Sequence, residues 1–127
     1  MANQAKHLKN LMLSRPFLTR IPDQSIVVDE QIDNEEYVIA TRDSEGTYAM
    51  VFFPTGKPSH LKLDAIKGES LKTWWYDTRT GYATEGEVLK NSVKTLITPP
   101  SQGKGNDWVL VVDAENTNFS KTGNLLD

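Results

Sequence analysis

The sequence of 127 residues has no cysteine. No disulfide can therefore staple the chain, and no thiolate can act as nucleophile or metal ligand. The absence fits a reducing compartment and equally a bacterial exported protein without bridges. Histidine is almost as scarce: His7 and His60 are the only two, with no metal-ligand spacing between them, so packed or solvated imidazoles are expected and no metal site is predicted. The net charge is −3 with no basic block, which gives nucleic acid and anionic membrane little to hold. No apolar run approaches the roughly 20 residues that span a bilayer. The first residues, MANQAKHLKN, lack the apolar core of a signal peptide; if the native protein is exported, this chain is a piece of it. No G-x-S-x-G surrounds Ser14, Ser25 or Ser59, and the Ser101–Gly105 stretch lacks the pattern of a phosphate loop. Carboxylates are plentiful, yet nothing singles out a pair for glycoside chemistry. The sequence predicts no catalytic residue and no cofactor.

What is present describes one soluble globular domain, with 38% hydrophobic and 24% charged residues. Its largest apolar investment is Leu71–Gly81, LKTWWYDTRTG. Strand alternation sends Leu71, Thr73 and Trp75 to one side and Lys72, Trp74 and Tyr76 to the other. Turn formers then follow from Asp77 to Gly81, and a glycine can take positive φ without steric cost. A strand thus runs into a polar corner, where Asp77, Arg79 and Gly81 are expected to serve structurally through charge-assisted or carbonyl hydrogen bonds.

Along the chain, residues 3–14 carry a helical period, with Leu8, Leu11 and Met12 on one face, ended by Ser14-Arg15-Pro16. Residues 15–22 read as an irregular connection and Pro22-Asp23-Gln24 as a turn. From Ser25 the period is two. Strands are predicted at Ser25–Asp29, Glu36–Arg42, Thr47–Phe53, His60–Ile66, Leu71–Tyr76, an interrupted Val88–Thr98, and Trp108–Asp113, with a hairpin at Asp43–Gly46. The fold class is mainly β: an antiparallel β-sandwich of about seven to eight strands with one N-terminal helix. Residues 1–22 form the helix and connection, 23–114 the sandwich and 115–127 a loosely held tail. Thr47–Phe53 is apolar on both faces, the mark of a central strand covered on both sides, and the N-terminal helix is the nearest cover for the second face. Trp108, Leu110 and Val112 should share one face of the last strand, Val109 and Val111 the other.

The aromatics admit two readings. Trp74, Trp75 and Trp108 can fill the core, and alternation puts Trp74 and Trp75 on opposite faces. Alternatively Trp74, Tyr76 and Tyr82 form an exposed surface that stacks on sugar rings or on an imino-acid-rich polymer.

From Gln4 to Asp113 the chain resembles the family labelled as the collagen-binding domain of a collagenase. The matching elements are Ile21-Pro22-Asp23-Gln24, the pair of strands from Ala40 to Ala49, and Trp75-Tyr76-Asp77-Thr78-Arg79-Thr80-Gly81. They end with Pro99-Pro100 leading to Asp107-Trp108-Val109-Leu110-Val111. Thr78 stands where that family usually has proline, and the turn should survive because threonine lacks only the preset φ. The resemblance implies a C-terminal β-sandwich placed after an apiosidase-like (β/α)8 catalytic domain in bacterial glycoside hydrolases. The partners implied are that catalytic domain and a polymer, collagen or polysaccharide; the location implied is extracellular or periplasmic. The expected function is therefore a non-catalytic accessory module that binds a polymer. A purely structural module packed on a catalytic barrel is the alternative, and a free-standing enzyme would need a convergent set of titratable groups that the sequence does not display.

Overall fold

The structure, a computed structural model, describes residues 20–28, 38–78, 80–91, 94–101, 103 and 107–114. Nine strands lie among them: β1 (Arg20–Pro22), β2 (Ile39–Asp43), β3 (Tyr48–Phe53), β4 (Ser59–Leu61), β5 (Ser70–Asp77), β6 (Ala83–Glu85), β7 (Leu89–Lys90), β8 (Thr95–Ile97) and β9 (Trp108–Asp113). All pairings are antiparallel. Seven strands form one sheet in the order β1-β2-β3-β9-β5-β6, with β7 also on β5, and β4 pairs with β8 in a second sheet. The expected N-terminal helix at 3–14 and the tail at 115–127 lie outside the described residues.

The strongest period-two stretches became the centre of the sheet. β3 lies between β2 and β9, and β9 lies between β3 and β5. The alternation holds on each. Ala49, Val51, Phe53, Leu110, Val112 and Leu71 enter one buried cluster, and Tyr48, Met50, Val109, Val111, Trp74 and Tyr76 enter another. The first cluster also takes in Leu61 of β4 and Ile97 of β8, with Leu63 and Ile66 from the loop after β4. Among the described residues the second cluster draws on the seven-stranded sheet alone.

Four local expectations are corrected. The segment 20–22 is a strand and not an irregular connection, because it pairs with β2 from Arg20↔Asp43 to Pro22↔Thr41. It is the sheet edge, where a proline removes no ladder donor that the sheet needs. Gln24–Ile26 is a 3-10 turn and not the start of a strand, and Val27 keeps only an isolated bridge to Leu61. The cause is the Asp23 carboxylate, which accepts the Ser25 amide (3.2 Å) and hydroxyl and so favours a turn over a strand. The predicted strand from His60 to Ile66 stops at Leu61, and Leu63 and Ile66 are buried from a loop instead. Finally, β1 and the short β6 raise the strand count to nine, and the interrupted Val88–Thr98 resolves into β7 and β8 in different sheets.

The Pro-Asp-Gln element has a physical reading. The Asp23 amide donates to Ala40 O (3.1 Å), and the Gln24 side chain then continues the ladder by accepting from Ala40 N (3.2 Å) and donating to Val38 O. Asp23 also pairs with Arg42 Nε at 2.7 Å. Burial alone would raise the Asp23 carboxyl, but the bonds from Ser25 and Arg42 outweigh it and hold the group below its ordinary value. At the β2–β3 hairpin Gly46 has φ +77, and a Cβ there would meet Ala65 O at 2.6 Å, so only glycine lets this turn dock on the 65–67 loop. The Gly46 amide donates to Asp43 O (2.9 Å) and closes the hairpin.

Candidate functional site

The corner after β5 is built by backbone and by Thr78. The Asp77 amide donates to Tyr82 O (2.9 Å), the Gly81 amide donates to Asp77 O (2.8 Å), and Gly81 takes φ 78. Thr78 is buried, and its hydroxyl donates to the Asp107 carboxylate at 2.7 Å. That bond ties the corner to the start of β9, and a proline in its place could not make it. Trp108 Nε1 in turn donates to Ser101 Oγ (3.0 Å), which anchors the loop before β9. Arg79, expected to act in this corner, lies outside the described residues.

The residues expected to form an aromatic surface are separated. Trp74 and Tyr76 sit in the second buried cluster at 8% and 1% exposure, while Tyr82 in the corner is 74% exposed. Trp74 Nε1 donates to the buried Asp113 carboxylate (3.2 Å), and Lys72 Nζ lies 4.6 Å from its ring centroid. Tyr48 is held similarly: Arg20 Nε donates to its hydroxyl at 2.7 Å. Burial, and then the charge of Asp77, push the Tyr76 phenol above its ordinary value.

The opposite face of β5 carries a feature that the sequence reading missed. β5 pairs with β6 as Trp74↔Glu85 and with β7 as Leu71↔Leu89, so Lys72 and Thr73 oppose three residues, Gly86, Glu87 and Val88. One extra residue on that edge is a β-bulge, a device that re-aims side chains. It is pinned at Thr73: the Gly86 amide donates to Thr73 O (2.9 Å), and the Thr73 hydroxyl donates to Glu87 O. A Cβ at position 86 would collide with the Thr73 hydroxyl, so this close approach requires glycine.

Between the bulge and β8 lies a half-open groove of about 500 Å³. Trp75 forms one wall, Leu96, Ile97 and Thr98 another, and Leu89 and Leu110 contribute apolar surface. Trp75 is braced by Phe53, with ring centroids 5.6 Å apart, and by Trp108 at 6.3 Å in a T-shaped contact. Among the described residues no lysine, arginine or histidine lines the groove, whereas Glu85 and Glu87 do. The Glu85 carboxylate lies 3.9 Å from Lys72 Nζ, which leaves Glu87 as the carboxylate of the groove without a described ion pair. Among the described residues no three His, Cys, Asp or Glu side chains gather as a metal site. No stretch of the sequence signals the groove, because the register shift between β6 and β7 is invisible until β5 is known to pair with both.

The fold and groove define an all-antiparallel β domain with a groove that is walled by an aromatic ring and, among the described residues, has no basic lining. The chain belongs to the family described as "Putative collagen-binding domain of a collagenase", whose model matches residues 21–113. The match leaves out most of the N-terminal stretch that the resemblance had included. Among solved structures, a glycoside hydrolase is similar at 33% identity and TM-score 0.84 over 92% of this chain and 26% of its own. A glycoside hydrolase family 5 protein from Bacteroides vulgatus ATCC 8482 is similar at 32% identity and TM-score 0.88, over 99% of this chain and 27% of its own. The chain thus spans about a quarter of the length of these hydrolases. No curated protein matches it.

Proposed function

We propose that this chain is a non-catalytic accessory module of a larger bacterial glycoside hydrolase, joined to a (β/α)8 catalytic domain, and that it binds a polymer, collagen or polysaccharide. The observation that carries this reading is the asymmetry of coverage. Nearly all of this chain matches about a quarter of each hydrolase, as expected of one appended domain. We read the fold as a lopsided β-sandwich: the β4–β8 sheet, with Leu63 and Ile66, is the second layer on the Val51–Leu110 face. The reading implies an extracellular or periplasmic parent, where a polymer can be met. The purified chain should hydrolyse neither glycosides nor peptides. Deleting the module from the parent should spare turnover of a small soluble glycoside and slow turnover of the polymer. Turnover by the chain alone would overturn the proposal.

The burial of Trp74 and Tyr76 favours a second reading, a purely structural domain without a ligand of its own. On that reading deletion of the module lowers the parent's melting temperature and changes activity on soluble and polymeric substrates equally.

A further inference from the structure

We infer that the groove beside Trp75 is a binding subsite for a neutral glycan, taking a sugar ring against the indole. This deepens the accessory-module reading and rests on it. Size is the first argument: about 500 Å³ falls within the roughly 300–1,000 Å³ typical of small-ligand sites. Chemistry is the second. A sugar ring offers an apolar C–H face and an equatorial rim of hydroxyls. An aromatic wall suits the face. The rim needs acceptors and donors, which the Glu87 carboxylate and the Thr98 hydroxyl supply as groove-lining residues.

Charge is the third argument. With Glu87 in the lining, Glu85 beside it offset by Lys72, and no cationic residue among the described lining residues, the groove disfavours a polyanion such as a uronate or sulfated chain. A neutral chain meets no such field. The fourth argument is construction. Trp75 is held by Phe53 and Trp108, and the bulge that carries Glu87 is fixed to Thr73 at two points. A preorganised aromatic wall, and a backbone fixed where Glu87 leaves it, lose little freedom on binding. A collagen triple helix is a rod with its imino-acid rings outside, and it suits a long flat strip better than a half-open groove of this volume.

The test uses the whole chain in affinity electrophoresis and tryptophan-fluorescence titration. The probes are three neutral polysaccharides (xyloglucan, galactomannan and arabinan), polygalacturonate, and a triple-helical collagen-model peptide. Binding is expected to at least one neutral polysaccharide and not to polygalacturonate or the peptide. Trp75→Ala should weaken it by about tenfold or more. Because Trp75 also packs on Phe53 and Trp108, that variant can lose stability, and the double variant Glu87→Gln/Thr98→Val, at exposed positions, then decides. Tyr82→Ala, in the corner, should leave binding unchanged.

The proposal is overturned if no neutral polysaccharide binds the folded chain. It is equally overturned if the double variant binds like the parent sequence, if polygalacturonate or the peptide is preferred, or if Tyr82→Ala abolishes binding. Hydrolysis of a glycoside by the chain alone would overturn the accessory reading and leave the groove result to be judged separately.

Discussion

The two faces of the seven-stranded sheet are built differently. The Val51–Leu110 face is aliphatic at its centre and is met by a second layer, β4 with β8 and the Leu63–Ile66 loop. Its aromatic residues, Phe53, Trp75 and Trp108, gather at one end, beside the groove. The Tyr48–Val111 face carries several large aromatics, two of them with a polar anchor: Tyr48 to Arg20, Trp74 to Asp113. Side chains with an apolar body and a polar tip suit a boundary. The comparison teaches that one face is closed by a second layer of strands and aliphatic packing, while the other, equally buried, relies on aromatic rings with polar partners. Damage to the first face costs stability through packing, and damage to the second costs it through lost cover or lost polar anchors.

The largest expected effect sharpens that contrast. We expect residues 3–14 to supply cover for the Tyr48–Val111 face. Removing residues 1–19, which leaves β1 intact, should then return several large side chains to water at about 1.5–3 kcal/mol each. The melting temperature should fall and binding of a hydrophobic dye should rise. A truncated chain that melts like the parent and binds no dye breaks the assignment of cover to that segment. Next, Phe53→Ala on the closed face should cost roughly 3–5 kcal/mol, read from the denaturant midpoint, because the second layer and the Trp75 ring cannot collapse into the void. A cost below about 1 kcal/mol would mean that this end of the face is loosely packed.

Smaller effects belong to the anchors. Thr78→Val removes a hydrogen bond to the Asp107 carboxylate and should cost on the order of 1.5–3 kcal/mol. Trp74→Phe removes the donor to the buried Asp113 and should fall in the same range, with near-ultraviolet dichroism reporting the loss. An unchanged midpoint in both would show that these bonds are exchanged for water without loss.

The smallest effects are those of pH, and they again separate regions. Asp23 has a lowered pKa in the fold, so its contribution is present above the ordinary carboxylate value of 3.8. It is lost as pH falls through the lowered value. Arg42→Gln should flatten that acid limb. Tyr76 has a raised pKa, so its contribution is present below the ordinary 10.0 and is lost as pH rises through the raised value. Tyr76→Phe should flatten the alkaline limb, and a limb that keeps its slope would assign the effect to other groups.

Local pattern alone determined the strong strands, the face that each residue takes on them, the hairpin at Asp43–Gly46 and the corner after Asp77. All follow from period-two alternation and turn chemistry, which act over a few neighbouring residues. The corner motif and the Asp107–Trp108 element were legible as separate words in the sequence; that Thr78 joins them was not, since donor and acceptor are 29 positions apart. Long-range pairing decided the rest. Arg20–Pro22 is a strand only because β2 offers it an edge. Trp74 is buried and Trp75 walls the groove because β9 slots between β3 and β5 and the small sheet sits over one side of them. Alternation divides two adjacent tryptophans between faces but carries no information on what lies above each face. The bulge at Gly86–Val88 exists only as a mismatch between the two registers in which one strand meets two others. The groove is thus a property of tertiary structure, because a register shift is a relation between segments and no single segment contains it.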